Sequence, residues 1–593
     1  MKARWTCLLG LTLGLVSGQA FVLDLVSPKG PRRWDLVTPE AHLSGGAFIP
    51  VSTNVVNPAT RAVRFYLAAD AWSATNATAE LNAVRAAFGQ WQAIPHTIVK
   101  FEEGGVLAAG TQLNPDDDTN VVFWAKSGAV QDNLLGTLAV TYFSALDDIQ
   151  TGADIVVNGK YAWFTDFDRV LTGSDAQFIE STVGHEIGHF LGLNHSPLGA
   201  GSMFWRGMSG VNAQTGLSSD EVAAAQRLYP AGNFLATLGR ITGQVTMGGR
   251  AVFAAVAVAE DASGNAVEGT VSWTDGVYDL PGLPPGTYTV RIAPLDPGND
   301  TRSLSRGANI TPDFASAQTA FQPSASGPIT VTAGQTQTLN VAVIAGAPAF
   351  HLNYLLKPNT SISPQTRLNG GVDLQVGRSN IYIGVYGLSL PVDGSTLTLT
   401  GNGITATVIH PATEFFDVNL VALKIDVSPL ATPGLRTLIL QHGNDLAFAH
   451  GFLKIRSQTP DFNFDGLDDH FQRRYFPLWT APAAAPAADP DGDGFNNYYE
   501  SKAGSDPANA ASFPTVDLDQ ITWALNSATL RWLSVPGAQY QVFGRDTFSS
   551  GSDWSSVGPV LTAVDTHTLF TDSTTAGRTK FYRVRILPTP IHP

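Results

Sequence analysis

The chain has 593 residues, a formal net charge of −15 at pH 7 and only 14% charged residues. Its length exceeds what one hydrophobic core organises, so several domains are expected. The acidic balance, without any basic run, argues against nucleic acid as a partner. Frequent Gly, Ser, Thr, Asn and Val favour β-rich extracellular modules.

The first twenty residues have the composition of a secretory signal peptide. Lys2 and Arg4 form a basic start, residues 8–16 an apolar run, and Gly18 and Ala20 the small residues before a cleavage site. The apolar run is too short to cross a bilayer, and no later segment reaches the roughly 18 apolar residues of a membrane helix. We therefore expect a secreted protein, extracellular or associated with the cell surface, that has no transmembrane segment.

Cysteine is confined to this first segment, because Cys7 is the single cysteine of the chain. Its early position makes Cys7 a poor site for a lipid anchor. After cleavage no disulfide can form, so packing and bound ions must stabilise the mature protein.

Residues 21–232 combine predicted strands with predicted helices, which indicates an α+β unit. Strands are expected where apolar and polar residues alternate, at 61–67, 97–101, 120–124, 137–143 and 153–158. Helices are expected from apolar spacing, capping residues and stop signals at 77–91, from near Ser174 to Gly192, and from Ser218 to Pro230.

Beyond residue 232, short strands are separated by turn residues, which predicts all-β modules. Four further parts are expected: a β-sandwich at 233–346, an immunoglobulin-like β domain at 347–457, an Asp-rich segment at 458–513 and a C-terminal β module at 514–593. The predicted fold class is therefore multidomain, with an α+β domain followed by several all-β sandwich modules.

The segment HEIGHFLGLNH carries the residues with the clearest chemistry. His185 and His189 lie four residues apart on the second predicted helix, so both imidazoles face one side and suit two ligands of one zinc ion. Gly192 lets the chain leave the helix with positive φ and bring up His195 as a third ligand. Three imidazoles leave one position open, as in catalytic zinc sites. Glu186 can accept the proton of the attacking water and pass it to the leaving amine.

This segment, followed by Met203 eight residues after the third histidine, resembles the metzincin clan and more narrowly the matrixins. The resemblance covers roughly residues 33–232. It implies a metzincin-like catalytic domain with a twisted sheet and three helices, one catalytic zinc, and a Met-turn at Met203 beneath the metal. Ser196 is the matrixin-like residue after the third histidine. Residues 136–143 resemble the edge strand that holds the substrate backbone, and residues 217–230 resemble the closing helix.

Two departures from the matrixin pattern limit what carries over. No cysteine follows the signal segment and the lead-in is short, so latency by a cysteine switch is not expected. Val140 and residues 153–158 carry no histidine where matrixins often hold a structural zinc, so a second zinc is not expected either. The family also implies calcium sites in the catalytic domain, but the sequence assigns no ligands to them.

Two Asp-rich loops have the spacing of EF-hand-type calcium sites, which need six to eight oxygen ligands. The expected ligands of the second loop are Asp489, Asp491, Asp493, the carbonyl of Phe495, Asn497 and the bidentate Glu500. Those of the first loop are Asp461, Asn463, Asp465, the carbonyl of Leu467, and Asp469. The first loop should bind more weakly, because Gln472 stands where the second has Glu500. The pair resembles dockerin-like and thrombospondin-type-3-like segments, which implies structural calcium; a solvated acidic turn is the alternative.

The β modules have weaker resemblances. The segment DGVYDLPGLPPGTYTV resembles a carboxypeptidase-regulatory-like β-sandwich with Tyr278 and Tyr288 in its core, and residues 514–593 resemble fibronectin-like terminal modules. Such modules could bind a surface polysaccharide or a matrix partner. Four aromatic residues of the last module could form a carbohydrate platform, although such residues more often belong to the core: Trp532, Tyr540, Trp554 and Tyr582.

Together these features predict a secreted zinc endopeptidase that hydrolyses extracellular proteins, with Glu186 as general base, one catalytic zinc and structural calcium. The alternative is a non-catalytic cell-surface or cell-wall adhesion protein that binds through its β modules. A pure scaffold would not need Glu186 beside the histidines, and a decayed site is disfavoured because all five motif residues are intact. Since these residues precede residue 232, we also expect a chain that ends there to keep its activity.

Overall fold

A computed structural model describes most of the chain in two compact units, one that ends at Gln458 and one that begins at Thr459. The described residues are 31–37, 40–42, 48–111, 113–114, 117–134, 136–146, 148–169, 176–205, 207, 210, 212–295, 316–356, 367–368, 371–391, 394–415, 418–512, 516, 518–547, 554–573 and 580–587. The predicted signal segment lies outside them. Within these ranges no helix is long and apolar enough to cross a membrane.

The described residues up to 228 form an α+β region. Its elements are β1 (Glu40–His42), β2 (Phe48–Pro50), β3 (Val63–Ala68), α1 (Ala77–Gln92), β4 (Phe101–Leu107), β5 (Val121–Ala125), α2 (Gly128–Asn133), β6 (Ala139–Leu146), β7 (Ile149–Asn158), β8 (Trp163–Phe164), β9 (Gln177–Phe178), α3 (Ile179–Leu191) and α4 (Ser219–Leu228).

Five of these strands form a sheet in the order β4-β3-β5-β7-β6. β3, β4, β5 and β7 are parallel, whereas β6 runs antiparallel to β7 and lies at one edge. Helices α1 and α3 pack on each other, and α3 also packs on β6 and β7. Their apolar faces meet in one core that contains Phe88 and Trp91 of α1 and Val183 and Ile187 of α3. This packing places α3 against the edge strand.

The helix that carries the histidines begins later than the sequence predicts. Ser174 lies outside the described residues, and the predicted start near it is wrong. Gln177 and Phe178 form a short strand that pairs with Trp163 and Phe164, so α3 begins only at Ile179. The capping box predicted for the third helix is present, with Ser218 and the Glu221 side chain bonding reciprocally at the start of α4.

A first β-sandwich follows α4. Its strands are β10 (Gly239–Met247), β11 (Arg250–Ala251), β12 (Ala255–Asp261), β13 (Ala266–Val271), β14 (Val277–Leu283), β15 (Gly286–Pro294), β16 (Ser324–Ala325), β17 (Ile329–Val331), β18 (Thr336–Thr338) and β19 (Val341–Val343). One sheet has the order β11-β10-β14, with β18 and β19 on β10, and the other has the order β13-β12-β15-β16, with β17 on β15. Tyr278 and Tyr288 are buried in the core between them, as predicted.

A second β-sandwich completes the first unit. Its strands are β20 (His351–Leu356), β21 (Arg367–Leu368), β22 (Val372–Gln375), β23 (Ile381–Leu388), β24 (Ser395–Leu399), β25 (Ile404–Phe415), β26 (Val418–Val427), β27 (Gly434–His442) and β28 (Asp445–Arg456). They form sheets in the orders β21-β20-β23-β26-β25 and β22-β28-β27-β24.

One hydrophobic core joins the second sandwich to the α+β region. Leu198 and Phe204, which follow the third histidine, belong to the same buried cluster as Phe452 and Leu453 of β28. The backbone N–H of Gly199 donates to the carbonyl of His450 on β28 at 2.9 Å. A strand more than 200 residues downstream therefore packs on the segment next to the histidines. This packing does not agree with the expectation that the catalytic region is independent of the downstream modules.

The second unit contains the Asp-rich segment and the last β module. Its helices are α5 (Asp469–Tyr475) and α6 (Asn497–Ala503), and its strands are β29 (Leu518–Ala524), β30 (Ser527–Leu533), β31 (Gln539–Arg545), β32 (Ser555–Thr562), β33 (His567–Asp572) and β34 (Phe581–Leu587). The strands form two sheets, β29-β30-β33 and β32-β31-β34. Phe495 and Tyr499 pack on the core of this β module.

The shared core predicts that a chain ending at residue 232 does not fold stably. Leu198, Phe204 and their neighbours would become exposed, and each fully buried Leu or Phe side chain stabilises a fold by about 1.5–3 kcal/mol. We expect this truncated chain to aggregate or to melt without a cooperative transition in circular dichroism. A chain ending at Gln458, the boundary of the first unit, is the control and should melt cooperatively. Cooperative melting of both chains at similar temperatures would contradict the shared core.

Candidate active site

Three histidines converge at the C-terminal end of α3. His185 and His189 lie one turn apart on the helix, and His195 follows its last residue by four positions. The ring centroids of His185 and His189 and those of His189 and His195 are 4.8 Å apart, and those of His185 and His195 are 5.3 Å apart. One nitrogen from each ring lies within 4.8 Å of the other two. The three rings are thus close enough to share one ion.

Backbone carbonyls orient two of the rings. Nδ1 of His185 lies 2.7 Å from the carbonyl oxygen of Ser202, and Nδ1 of His189 lies 2.9 Å from that of Leu193. Because a carbonyl only accepts, each Nδ1 carries the proton and each Nε2 keeps its lone pair. His195 is buried, and its Nδ1 has no hydrogen-bond partner. The tautomer of His185 and His189 with the proton on Nδ1 is the one that binds a metal through Nε2.

Burial keeps His189 and His195 neutral. It lowers the pKa of His189 to about 3 and holds the pKa of His195 well below its ordinary value, and neighbouring histidines act in the same direction. Neutral imidazole is the form that binds metals. The residues present therefore fit a zinc ion that is held by His185, His189 and His195.

Gly192 makes the turn that brings His195 back towards the helix. Its φ of 103° is left-handed, and it forms the C-cap of α3. A Cβ atom at this position would lie only 1.9 Å from the carbonyl oxygen of Arg32. Both the backbone conformation and the close approach therefore require glycine.

Side chains from distant segments satisfy the last carbonyls of α3. Arg32 donates to the carbonyl of His189 at 2.7 Å, Trp34 Nε1 donates to that of Phe190 at 2.8 Å, and the Tyr229 hydroxyl donates to that of Leu191 at 2.6 Å. Arg32 is only 1% exposed. Its guanidinium also donates to the Gln150 side chain and lies over the Phe143 ring, 3.5 Å from the centroid. The irregular lead-in thus has a role at the site that no sequence signal revealed.

Glu186 is held by a residue of the edge strand. Its carboxylate is 5% exposed, and the Thr141 hydroxyl on β6 lies 2.7 Å from Glu186 Oε2 and 2.9 Å from the Glu186 carbonyl oxygen. Burial raises the pKa of Glu186, while His185 and the Thr141 contacts act against that rise. Thr141 is a site residue that sequence reasoning missed, because nothing in its local sequence places it beside Glu186.

Met203 lies buried under the histidine helix. A Cβ atom at Gly188 would lie 2.2 Å from Met203 Sδ, so the sulfur fills the space that this glycine leaves. The Met203 N–H donates to Oε1 of Glu221 at 2.9 Å, which fixes the turn to α4. Ser196 Oγ donates to Asp220 at 2.5 Å and so joins the residue after the third histidine to the same helix. Met203 is therefore packed against the helix that carries His185 and His189.

The second Asp-rich loop gathers its acidic side chains at one point. Carboxylate oxygens of Asp489, Asp491 and Asp493 lie within 4.8 Å of one another. Glu500 and Asn497 are fully buried, and Glu500 Oε2 and Asn497 Oδ1 have no hydrogen-bond partner. Burial, assisted by the three Asp charges, raises the pKa of Glu500 to about 7. A divalent cation would relieve both the repulsion and the unpaired buried oxygens.

Backbone N–H groups shape the second loop. Gly494 donates to Asp489 at 3.0 Å, and Phe495 donates to Asp493 at 2.8 Å. The Asn497 amide donates to the carbonyls of Ala483 and Ala485, both at 2.8 Å. This leaves the Asn497 oxygen as the free end of its side chain.

In the first loop, amide groups contact the acidic side chains. Gln472 Nε2 donates to Asp465 Oδ2 at 2.7 Å and to the Ala484 carbonyl at 2.9 Å. Asn463 Nδ2 donates to the same Asp465 oxygen at 2.8 Å. Amide hydrogens thus form hydrogen bonds to Asp465 Oδ2, an oxygen of a predicted calcium ligand.

The carboxylates of Asp461 and Asp469 in the first loop also have protein partners. Asp461 accepts the backbone N–H groups of Asp465 and Gly466, both at 2.9 Å. The Leu467 N–H donates to Asp465 Oδ1 at 2.8 Å, and the buried Asp469 accepts the Phe462 N–H at 2.9 Å. Side-chain amides and backbone N–H groups thus hold the acidic side chains of the first loop.

The four aromatic residues of the last module do not share one surface. Trp532 and Tyr540 are 0% and 2% exposed and belong to the core. Trp554 lies beneath the guanidinium groups of Arg545 and Arg583, with centroid distances of 4.7 Å and 4.6 Å. A carbohydrate platform made of all four residues is therefore not formed.

Comparison with known proteins shows a similarity over part of this chain. Residues 59–230 match the family described as Matrixin, and this match covers less than half of the chain. The matrixin match and the histidine triad indicate a zinc metallopeptidase. Curated proteins give no match.

Some solved structures align with parts of the chain. The Bacillus anthracis TIE protein aligns at 9% identity over 59% of this chain and 46% of its own, with a TM-score of 0.13. The ICAM-5 D1–D4 ectodomain fragment aligns at 10% identity over 59% of this chain and 74% of its own, with a TM-score of 0.13. The secreted serine protease VesC from Vibrio cholerae aligns at 10% identity over 59% of this chain and 73% of its own, also with a TM-score of 0.13. Such low TM-scores support no argument about fold or function.

The geometry at Gly192 predicts a specific loss of metal binding. Gly192→Ala imposes about 1–2 kcal/mol for the left-handed backbone, in addition to the clash with the Arg32 carbonyl. The turn should open and displace His195, so the variant should bind zinc more weakly than the wild-type protein in a chelator competition.

Gly184→Ala is the matched control on the same helix. A Cβ atom at Gly184 meets no atom within 4 Å, and alanine raises helix propensity by about 1 kcal/mol. The control should keep wild-type zinc affinity and melt no lower than the wild-type protein. Equal zinc affinity in the Gly192 variant would show that the turn does not position His195.

Proposed function

We propose that this chain is a secreted zinc endopeptidase whose catalytic residues lie in the α+β region. The observation that carries the proposal is the triangle of three imidazoles beside the buried Glu186 carboxylate. The matrixin match at 59–230 supports it. The rival adhesion function would give no reason for a carboxylate that Thr141 orients next to three metal-binding side chains.

The residues divide the chemistry among them. His185, His189 and His195 would hold the zinc, and when bound, a zinc ion supplies Lewis-acid activation of water and of a carbonyl group. Thr141 donates to Glu186 Oε2, which leaves Oε1 to accept the proton of the attacking water. Glu186 then gives this proton to the leaving amine.

The edge strand β6 suits an extended peptide. In the described sheet it pairs with β7 on one side only. A peptide can add to the other side through backbone hydrogen bonds, as in other cases of strand addition. Because Thr141 lies on β6, the same strand would hold the substrate and orient the base.

We further propose that residues 489–500 bind one structural calcium ion. The converging Asp oxygens and the unpartnered oxygens of Glu500 and Asn497 support this assignment. The first loop is proposed to bind weakly, because Gln472 supplies amide hydrogens instead of a carboxylate.

Secretion and the binding roles of the β modules belong to the same proposal. Secretion rests on the composition of residues 1–20. A polysaccharide or matrix partner of the β modules would need a surface other than the predicted platform, because Trp532 and Tyr540 are buried.

The assigned base predicts a separation of metal binding from catalysis. Glu186→Ala should keep one zinc per chain by elemental analysis, because the three histidines remain. Peptide hydrolysis should fall at least ~100-fold, the usual contribution of a general base. His189→Ala is the comparison variant and should lose both zinc and activity. Near wild-type turnover by Glu186→Ala would show that another group accepts the proton.

The two Asp-rich loops predict different responses to the same substitution. Asp493→Asn should abolish the tight calcium site in isothermal titration calorimetry, whereas Asp465→Asn in the first loop should leave it intact. With a chelator present, limited proteolysis of the wild-type protein should cut within residues 489–500. Protection of that loop in the Asp493 variant without calcium would mark it as an ordinary acidic turn.

A further inference from the structure

The chain that follows Met203 is tied to the histidine site at both ends. We call residues 204–218 the 204–218 loop. Two residues before its start, the Ser202 carbonyl oxygen lies 2.7 Å from Nδ1 of His185. At its end, the Gly216 carbonyl accepts the Ser202 hydroxyl at 3.0 Å. A shift of this loop therefore reaches the group that orients a zinc-binding histidine.

The same loop also reaches the edge strand. A Cβ atom at Gly207 would lie 2.4 Å from Cδ1 of Leu138, the residue before β6. Gly210 forms an isolated bridge with Gln177, just before α3. The described part of the loop thus contacts the residue before the strand that is proposed to hold the peptide and the segment just before the histidine helix.

A lysine of the second β-sandwich binds the end of this loop. Lys454 Nζ, on β28, donates to the carbonyls of Ala213, Thr215 and Gly216 at 3.1, 2.8 and 2.9 Å. The side chain is only 8% exposed. An ammonium group has three N–H donors, so three carbonyls of a single turn match its hydrogen-bonding capacity.

Thr215, whose carbonyl binds Lys454, also contacts the histidine helix. Its hydroxyl lies 2.6 Å from the hydroxyl of Ser181, in the first turn of α3. Lys454 and Ser181 thus hold one loop residue from two sides, through its carbonyl and its hydroxyl. The loop end is fixed between the downstream sandwich and the helix that carries His185.

The packing around Lys454 is tight on the sandwich side. Phe452, two residues earlier on β28, packs edge to face on Phe204 with ring centroids 5.8 Å apart. A Cβ atom at Gly199 would lie 2.2 Å from the Phe452 ring. An apolar residue at position 454 could fill the same space without burying a charge. The lysine instead supplies hydrogen-bond donors for three loop carbonyls.

We propose that Lys454 is a positioning residue for the 204–218 loop, through which the second β-sandwich influences which peptides the histidine site accepts. This inference rests on the proposed peptidase function for its substrate readout. Its structural readout, the order of the loop, does not depend on that function.

The test compares Lys454→Met with Lys424→Met in the full chain. Lys424 lies on β26 of the same sandwich, half-buried and 3.9 Å from Asp426, and serves as the matched control. In hydrogen exchange, peptides covering 212–217 should exchange roughly tenfold faster in Lys454→Met and at the wild-type rate in Lys424→Met. Peptides covering β26 should keep their protection in both, which shows that the sandwich is folded.

The substrate arm uses two peptides that differ in one residue beside the cleaved bond. Lys454→Met should change the ratio of their kcat/KM values by about tenfold, chiefly through KM. Its zinc content should stay at the wild-type level. Lys454→Gln keeps two N–H donors and should give intermediate exchange and selectivity. If Lys454→Met does not fold, Lys454→Gln is used in its place.

The outcomes separate this inference from the proposed function. Unchanged loop exchange in both Lys454 variants would overturn the positioning role. Faster exchange with an equal loss of kcat/KM for both peptides would overturn the control of selectivity. Absence of hydrolysis by the wild-type protein would refute the proposed peptidase, while the exchange arm would still decide whether Lys454 holds the loop.

Discussion

The turn after Leu191 is the constraint on which the histidine site depends. A helix leaves its last carbonyls without partners, and a buried helix end must find donors for them. Here Arg32, Trp34 and Tyr229 supply those donors. With the helix end fixed in this way, the left-handed Gly192 can turn the chain back and bring His195 to the two helical histidines. The same turn leaves room for the backbone of Arg32 and for no side chain.

Local signals in the sequence predict the parts of the site that are close in the chain. The spacing of His185 and His189, the glycine stop at Gly192 and the capping box at Ser218 each follow from helix geometry, and the structure contains all three features. The start of α3 could not be predicted in this way. Gln177 and Phe178, which the sequence predicts to belong to this helix, instead pair as a strand with residues 163–164. Such pairing depends on a partner that is distant in the sequence.

Contacts between distant segments account for what sequence reasoning missed. Thr141 has an ordinary strand sequence around it, yet it lies beside Glu186 because α3 packs on the edge strand. Lys454 likewise has an ordinary strand sequence around it, although its ammonium binds a loop more than 230 residues upstream. Alternation predicts that a strand exists and which face is apolar, but not which other segment covers that face. The catalytic region and the second sandwich therefore share a core that no local pattern indicates.

The central claim is that the three histidines and Glu186 form a zinc-dependent peptidase site. The most direct measurement incubates the purified full chain with a peptide library and identifies the products by mass spectrometry, first with a zinc chelator and then after restoring one equivalent of zinc. We expect cleavage at internal peptide bonds that the chelator stops and zinc restores. No cleavage under any condition, or cleavage that continues with the zinc removed, would contradict the claim.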